Sequence, residues 1–154
     1  MSTDAKAVLY TDGSSLGNPG PAGGGFVLEM PDGRVIERAI PLGETTVGVA
    51  EYRALIAGLS EASSQGVTRL HAYSDSQFLC RQLVGEYKVR SANIRPLYEW
   101  AQKLIAQLNE FHIEHTPREG NQRADALARQ AAEQVKRDQQ DNWSIKESPG
   151  RSRK

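Results

Sequence analysis

The sequence has a single cysteine, no long apolar run and no excess of charge of either sign. Cys80 cannot form an intramolecular disulfide, which is typical of proteins in the reducing cytoplasm. No apolar run approaches the ~20 residues that a membrane helix needs, and the N-terminus lacks the basic start and apolar core of a signal peptide. The 19 basic residues balance the 19 acidic ones, which argues against a polycationic binder. We therefore expect a cytoplasmic protein without membrane contact, and a monomer.

The length and the apolar periodicity predict one α/β domain at residues 1–137, followed by a disordered polar tail at 138–154. The predicted elements are strands at 6–11, 23–30 and 34–42, a helix from about Val49 that stops at Gly66, a strand at 69–75, a helix at 76–84, a helix capped by Asn93, a strand at 111–116 and a helix at 122–135. The order βββ-α-β-α-α-β-α indicates a mixed five-stranded sheet flanked by helices.

The stretch YTDGSSLGNPGPAGGGFVLE at residues 10–29 raises two alternatives. A phosphate-binding loop would need a Gly-Lys-Ser/Thr ending or a GxGxxG pattern before a helix, and neither is present. Pro19 and Pro21 also remove two backbone N–H donors, and a strand follows instead of a helix. The other alternative is that Asp12, which we place at the end of the first strand, is the functional group. Alone it would also be an ordinary turn aspartate.

Three further acids lie near predicted element ends: Glu51 on the core-facing side of a helix, Asp75 at the end of a strand, and Asp125 in the first turns of the last helix. Each has an ordinary structural explanation as a helix-flank, cap or first-turn acid. Together, however, clustered carboxylates repel one another unless a cation neutralises them. Oxygen ligands without nearby Cys or His select Mg²⁺ or Mn²⁺. The sequence therefore predicts a carboxylate site for divalent metal.

Four blocks, YTDGSSLGNPGPAGGG, AEYRALIAGL, YSDSQFL and PREGNQRADALAR, resemble in order the motifs of type 1 ribonuclease H. The resemblance covers residues 8–135 and implies the ribonuclease H-like fold. It also implies endonucleolytic hydrolysis of the RNA strand of RNA–DNA hybrids, leaving 3′-hydroxyl and 5′-phosphate ends. Two Mg²⁺ ions about 4 Å apart, for which Mn²⁺ can substitute, suit this chemistry.

The resemblance assigns roles to individual residues. The catalytic and metal-binding set is Asp12, Glu51, Asp75 and Asp125. In the family's arrangement Asp12 bridges both metals, Glu51 and Asp75 hold the ion near the leaving group, and Asp125 holds the ion that carries the attacking water. Contacts to the hybrid fall on Gly13, Asn18, Thr46, Gln77, Lys88, Arg90 and Asn121. His115 matches an auxiliary loop histidine, with a structural strand-end histidine as the alternative.

The chain also departs from the family. Val47 and Gly48 stand where many members have two asparagines, and the segment around Lys88 and Arg90 is short where some members have a basic protrusion. We expect weak, strongly salt-dependent hybrid binding from this. Three other functions stay open at this point: a hybrid-binding module without catalysis, a DNA-strand nuclease of the same superfamily, and a metal hydrolase acting outside nucleic acids.

Overall fold

The computed structural model describes residues 5–147. In chain order its elements are β1 (Ala7–Ser15), β2 (Gly20–Glu29), β3 (Val35–Thr45), α1 (Val47–Ser64), β4 (Arg69–Ser74), α2 (Gln77–Leu83), α3 (Arg95–Ala106), β5 (Glu110–His115) and α4 (Gln122–Glu147), with a short 3-10 helix at Arg118–Asn121. The predicted order of strands and α-helices is confirmed. None of the helices in this described part is long and apolar enough to cross a membrane.

The five strands form one mixed sheet in the order β3-β2-β1-β4-β5. The first three strands pair antiparallel as a meander, whereas β4 joins β1 and β5 joins β4 in parallel. β1 is therefore the central strand, with partners on both sides. A group on β1 is held more rigidly than one on an edge strand, since hydrogen bonds fix its backbone from both neighbours.

Two helices cover opposite faces of β2. On one face α1 packs its apolar side over β1 and β2, in a core that includes Leu9, Leu28, Leu55 and Leu59. On the other face α4 lies against Gly23 and Gly25. A Cβ on Gly25 would lie 2.5 Å from the carbonyl oxygen of Ala124 and 2.7 Å from the amide nitrogen of Ala128. Glycine is required there because helix and strand meet backbone to backbone.

Several predicted boundaries are wrong. β2 begins at Gly20 and not at residue 23, and β3 ends at Thr45 and not at residue 42; three further differences have a clear physical cause. β1 does not end at Asp12 but continues to Ser15, because residues up to Ser15 pair with β2. Asn93 does not cap α3; the N-cap is Ile94, which makes no side-chain cap hydrogen bond, and a proline occupies the first turn. Pro96 is suited to that turn because the amide it lacks would have no intrahelical partner.

The third boundary concerns the tail. α4 continues to Glu147, so the predicted disorder is wrong for residues 138–147. This stretch contains neither proline nor glycine, and nothing in it breaks the helix that begins at Gln122. Residues 136–142 are exposed, which places them beyond the part of α4 that packs on the sheet. Residues 148–154 of the predicted tail lie outside the described residues.

Candidate active site

Asp12, Glu51 and Asp75 meet at one end of the sheet. Thr11 pairs with Ser74 across the parallel strands β1 and β4, so the next residues, Asp12 and Asp75, lie side by side. Glu51 comes from α1. Carboxylate oxygens of these three residues all lie within 4.8 Å of one another. Among residues 5–142, whose side chains the structure describes, no other group of three or more His, Cys, Asp or Glu meets this condition.

Gly13 explains how α1 comes so close. A Cβ at this position would lie 2.3 Å from the amide nitrogen of Glu51 and 2.5 Å from the carbonyl carbon of Ala50. Only a residue without a side chain lets the backbone of β1 touch that of α1 here. Gly13, the residue after Asp12, therefore lets α1 come close enough to place Glu51 beside Asp12.

Asp125 approaches from the opposite side, in the first turn of α4. Its carboxyl interacts with that of Asp12, and its Oδ2 lies 3.2 Å from Nη2 of Arg129, one helical turn further on. The structure thus brings all four acids of the sequence prediction to one place, three as a tight group and Asp125 beside Asp12.

Burial and mutual repulsion change the acidity of this group. Asp12 is only 6% exposed. Its pKa rises to about 9, first because burial penalises the charge and then because of Asp125 and Asp75. The pKa of Glu51 rises to about 7, chiefly through burial and despite a hydrogen bond from Ser76 that opposes the shift. Without a cation, such a cluster holds protons at neutral pH.

The donor set fits a hard divalent cation. All the ligand atoms are carboxylate oxygens, the type that Mg²⁺ and Mn²⁺ prefer. In the described part of the chain, Oδ2 of Asp75 is buried without a hydrogen-bond partner. Nε of Arg118 is 3.9 Å away, too far to donate a hydrogen bond. A buried carboxylate oxygen with no donor is compatible with a cation as its partner.

Four residues predicted to contact substrate are engaged in holding the scaffold. Gly13 packs against α1, as described above. Asn121 is 1% exposed, and its Nδ2 donates to the carbonyl oxygen of Thr11 at 2.8 Å. Thr46 is the N-cap of α1 and accepts from the amide of Val49.

Asn18 is exposed, but its Oδ1 accepts from the amide of Val47 at 2.9 Å. This bond ties the glycine-rich loop between β1 and β2 to the first residue of α1. The bond to Val47 occupies only the side-chain oxygen of Asn18, so its amide nitrogen can still donate to another group.

The other predicted residues lie at the surface. Gln77, Lys88 and Arg90 are exposed, the first at the start of α2 and the others in the segment that follows it. His115 is exposed at the last position of β5 and pairs with Ser74, the residue before Asp75. Its auxiliary role stays a prediction.

Sequence reasoning missed an aromatic pair in this region. The rings of Phe78 and Tyr87 are 5.6 Å apart, and the guanidinium of Arg81 lies 5.5 Å from the Tyr87 ring. Phe78 is 58% exposed. The signal that points to it is an aromatic residue directly after Gln77, at the exposed start of α2. Next to this pair is a cleft of about 570 Å³, lined by Tyr87, Lys88, Val89, Arg90, Arg95, Tyr98 and Gly85.

Comparison with known proteins identifies the family. The family model described as "Reverse transcriptase-like" matches residues 10–131, a span that includes all four acids. Ribonuclease HI of Halobacterium salinarum is 40% identical over 123 residues, covering 79% of this chain and 62% of that protein. Ribonuclease H of a Cyanothece species is 32% identical over 136 residues, covering 79% of this chain and 85% of that protein. The chain belongs to the type 1 ribonuclease H family.

Solved ribonuclease H structures superpose closely on this chain. RNase H1 from Halobacterium salinarum matches with a TM-score of 0.80 and 37% identity, over 84% of this chain and 99% of that one. LC11-RNase H1 in complex with an RNA/DNA hybrid matches with a TM-score of 0.78 and 33% identity, over 84% of this chain and 98% of that one. The chain also matches a bifunctional protein of Mycobacterium tuberculosis at 41% identity but spans only 35% of its length.

Proposed function

We propose that this protein cleaves the RNA strand of RNA–DNA hybrids, leaving 3′-hydroxyl and 5′-phosphate ends. The observation that carries the proposal is the group of Asp12, Glu51 and Asp75, whose carboxylate oxygens lie within 4.8 Å of one another. It stands in a fold shared with LC11-RNase H1, which was crystallised with an RNA/DNA hybrid. The membership in the type 1 ribonuclease H family supports the same activity.

Each acid has its own part in this proposal. Asp12, on the central strand, would be a ligand for both cations. Glu51 and Asp75 would hold the cation nearer the leaving group, and Asp125 would hold the one on the side of the nucleophile. When bound, two Mg²⁺ ions, or Mn²⁺ in their place, activate water and stabilise the leaving 3′ oxygen. The rigid β1–β4 pairing keeps Asp12 and Asp75 aligned before substrate arrives, which lowers the cost of reaching the transition state.

The hybrid itself is held by the surface next to this group. Lys88 and Arg90 neutralise phosphates of the DNA strand, and the exposed ring of Phe78 offers an apolar contact to sugars or bases. We assign contacts in the minor groove to the exposed Gln77 and to the side-chain amide nitrogen of Asn18, whose oxygen already accepts from Val47. Contacts to the 2′-hydroxyl of the RNA strand distinguish the hybrid from duplex DNA.

A cleavage assay tests this. End-labelled RNA is offered as hybrid, as duplex RNA and as single strand, together with duplex DNA, in Mg²⁺, in Mn²⁺ and in EDTA. We expect cutting of the hybrid alone, only with metal, and products that a 5′-phosphate-dependent exonuclease degrades. Asp75→Asn should abolish it, whereas Asp32→Asn, the same change in the exposed β2–β3 turn, should not.

The alternatives give different results in the same assay. Hybrid binding without any cutting would identify a binding module, and cutting of duplex DNA would identify a DNA-strand nuclease of the same superfamily. Equal cutting by the Asp75→Asn and Asp32→Asn proteins would remove Asp75 from the site.

A further inference from the structure

We infer that Gln82 is a positioning residue, which holds the segment carrying Lys88 and Arg90 at a fixed place relative to the carboxylate group. The inference rests on the proposed hybrid cleavage for its kinetic consequences. It concerns residues for which neither the metal site nor the resemblance to ribonuclease H assigns a role. Its basis is a chain of buried polar contacts that begins next to Glu51.

The first contact joins α1 to α2. Tyr52 directly follows Glu51 and is 2% exposed, and its hydroxyl donates to Oε1 of Gln82 at 2.7 Å. Gln82 is equally buried. Buried amides are rare unless both ends are satisfied, because an unpaired polar group loses its hydration without compensation.

The second contact joins α2 to the segment after it. Nε2 of Gln82 lies 3.5 Å from the carbonyl oxygen of Lys88. The carbonyl can only accept, so the nitrogen of the amide must face Lys88 and the oxygen must face Tyr52. The length of this bond is at the upper limit for a hydrogen bond, and a second donor supports the same segment. Nη2 of Arg95 donates to the next carbonyl, that of Val89, at 2.5 Å.

The side chain of Val89 completes the anchoring. It is 6% exposed, while the residues on either side of it, Lys88 and Arg90, are exposed. One buried side chain and two bonded carbonyls therefore fix the backbone between the two cations. The cations project from an anchored backbone, which reduces the conformational entropy that phosphate binding would otherwise cost.

The chain of contacts thus runs from Tyr52, the residue after Glu51, through Gln82 to the backbone of Lys88. Buried side chains therefore connect the helix that carries Glu51, at the proposed cleavage site, to the segment whose Lys88 and Arg90 would bind phosphates of the DNA strand. Loss of the link should weaken substrate binding while the carboxylates stay in place.

The test uses Gln82→Met, which keeps the length of the side chain and removes both polar ends. We expect KM for the hybrid to rise about five- to tenfold, as for loss of one or two charge contacts, with kcat within about twofold. Hydrogen exchange at the amides of Lys88–Arg90 should become faster. That second measurement needs no activity, so it tests the positioning even if the wild-type protein does not cut hybrid.

A double-mutant cycle separates positioning from a general loss of stability. In a protein that already carries Lys88→Ala and Arg90→Ala, Gln82→Met should have almost no further effect on KM, because the groups that it positions are gone. Tyr52→Phe, which removes a single oxygen, should raise KM in the same direction and serves as the test where Gln82→Met does not fold. A fall in kcat at unchanged KM, additive effects in the cycle, or unchanged exchange at Lys88–Arg90 would overturn the inference.

Discussion

Gly13 and Glu51 touch backbone to backbone, since a Cβ on Gly13 would lie 2.3 Å from the amide nitrogen of Glu51. We expect Gly13→Ala to push α1 away from β1, lower the free energy of unfolding by about 1–3 kcal/mol and reduce kcat. Urea unfolding and hybrid cleavage measure the two effects. Gly48→Ala is the control for stability, because its Cβ would meet Ile94 at an ordinary 3.6 Å. Equal stability of the two variants would contradict the prediction.

The raised pKa values of Asp12 and Glu51 predict that the metal-free protein loses stability as pH rises. In the unfolded chain both acids lose their protons near pH 4, whereas the folded protein keeps them up to about pH 7 at Glu51 and about pH 9 at Asp12. Between these limits the unfolded state binds fewer protons, so the free energy of unfolding falls with pH.

Asp12→Asn should flatten this fall, which urea unfolding in EDTA at several pH values between about 4 and about 9 would show. Asp32→Asn is the control, because the bonds from Arg34 lower the pKa of Asp32 and move its effect to more acidic solution. The same Asp12→Asn protein should lose about a thousandfold or more in cleavage rate. An unchanged slope would show that Asp12 does not carry the proton.

Asn121 supports Asp12 through the carbonyl of Thr11, so we expect Asn121→Ala to act on turnover and not on substrate binding. The change removes the side-chain donor to the Thr11 carbonyl, which costs about 1–3 kcal/mol of folding free energy, and weakens the support of the neighbouring Asp12. Kinetics with hybrid should show a lower kcat at similar KM. Asn142→Ala, on the exposed part of α4, is the control. A higher KM with unchanged kcat would instead assign Asn121 to substrate contact.

Lys88 and Arg90 should make hybrid binding sensitive to salt. Each phosphate contact contributes about 0.9 to the slope of log affinity against log salt concentration, so Lys88→Ala with Arg90→Ala should lower that slope by up to about 1.8. Anisotropy titrations with labelled hybrid over a range of salt concentrations measure it. Lys136→Ala with Arg137→Ala removes the same charge from the exposed part of α4 and should leave the slope unchanged. Equal slopes for both pairs would exclude a phosphate contact specific to Lys88 and Arg90.

The order of elements follows from sequence periodicity, but the buried supports of the site do not. Asp75 is identifiable because a strand ends just before it, and Asp125 because a helix starts before it. Asn121 bonds the carbonyl of a residue 110 positions away. Gly13 needs its lack of a side chain because of a helix that begins more than thirty residues later. Local patterns contain no information about such pairs.

The ends of the strands are also hard to predict from the sequence, because they too depend on distant partners. β1 extends past Asp12 because β2 offers backbone partners as far as Ala22, although Gly13 and the serines that follow have little strand preference of their own. Pairing partners, and not propensity, decided where this strand ends. Asp12 is consequently more firmly held than a residue at a strand end would be.

The contact of Gly23 and Gly25 in β2 with the backbone of α4 also affects Asp125. Gly25 is the residue opposite Asp12 in the sheet, and the same glycine receives the backbone of Ala124 and Ala128. An interface of large side chains would let the helix settle at whichever height the rotamers permit. A contact between two backbones allows no such adjustment, so Gly25 fixes the distance between α4 and β2. Because Gly25 pairs with Asp12 and also contacts the helix that carries Asp125, this one residue fixes the position of both acids relative to each other.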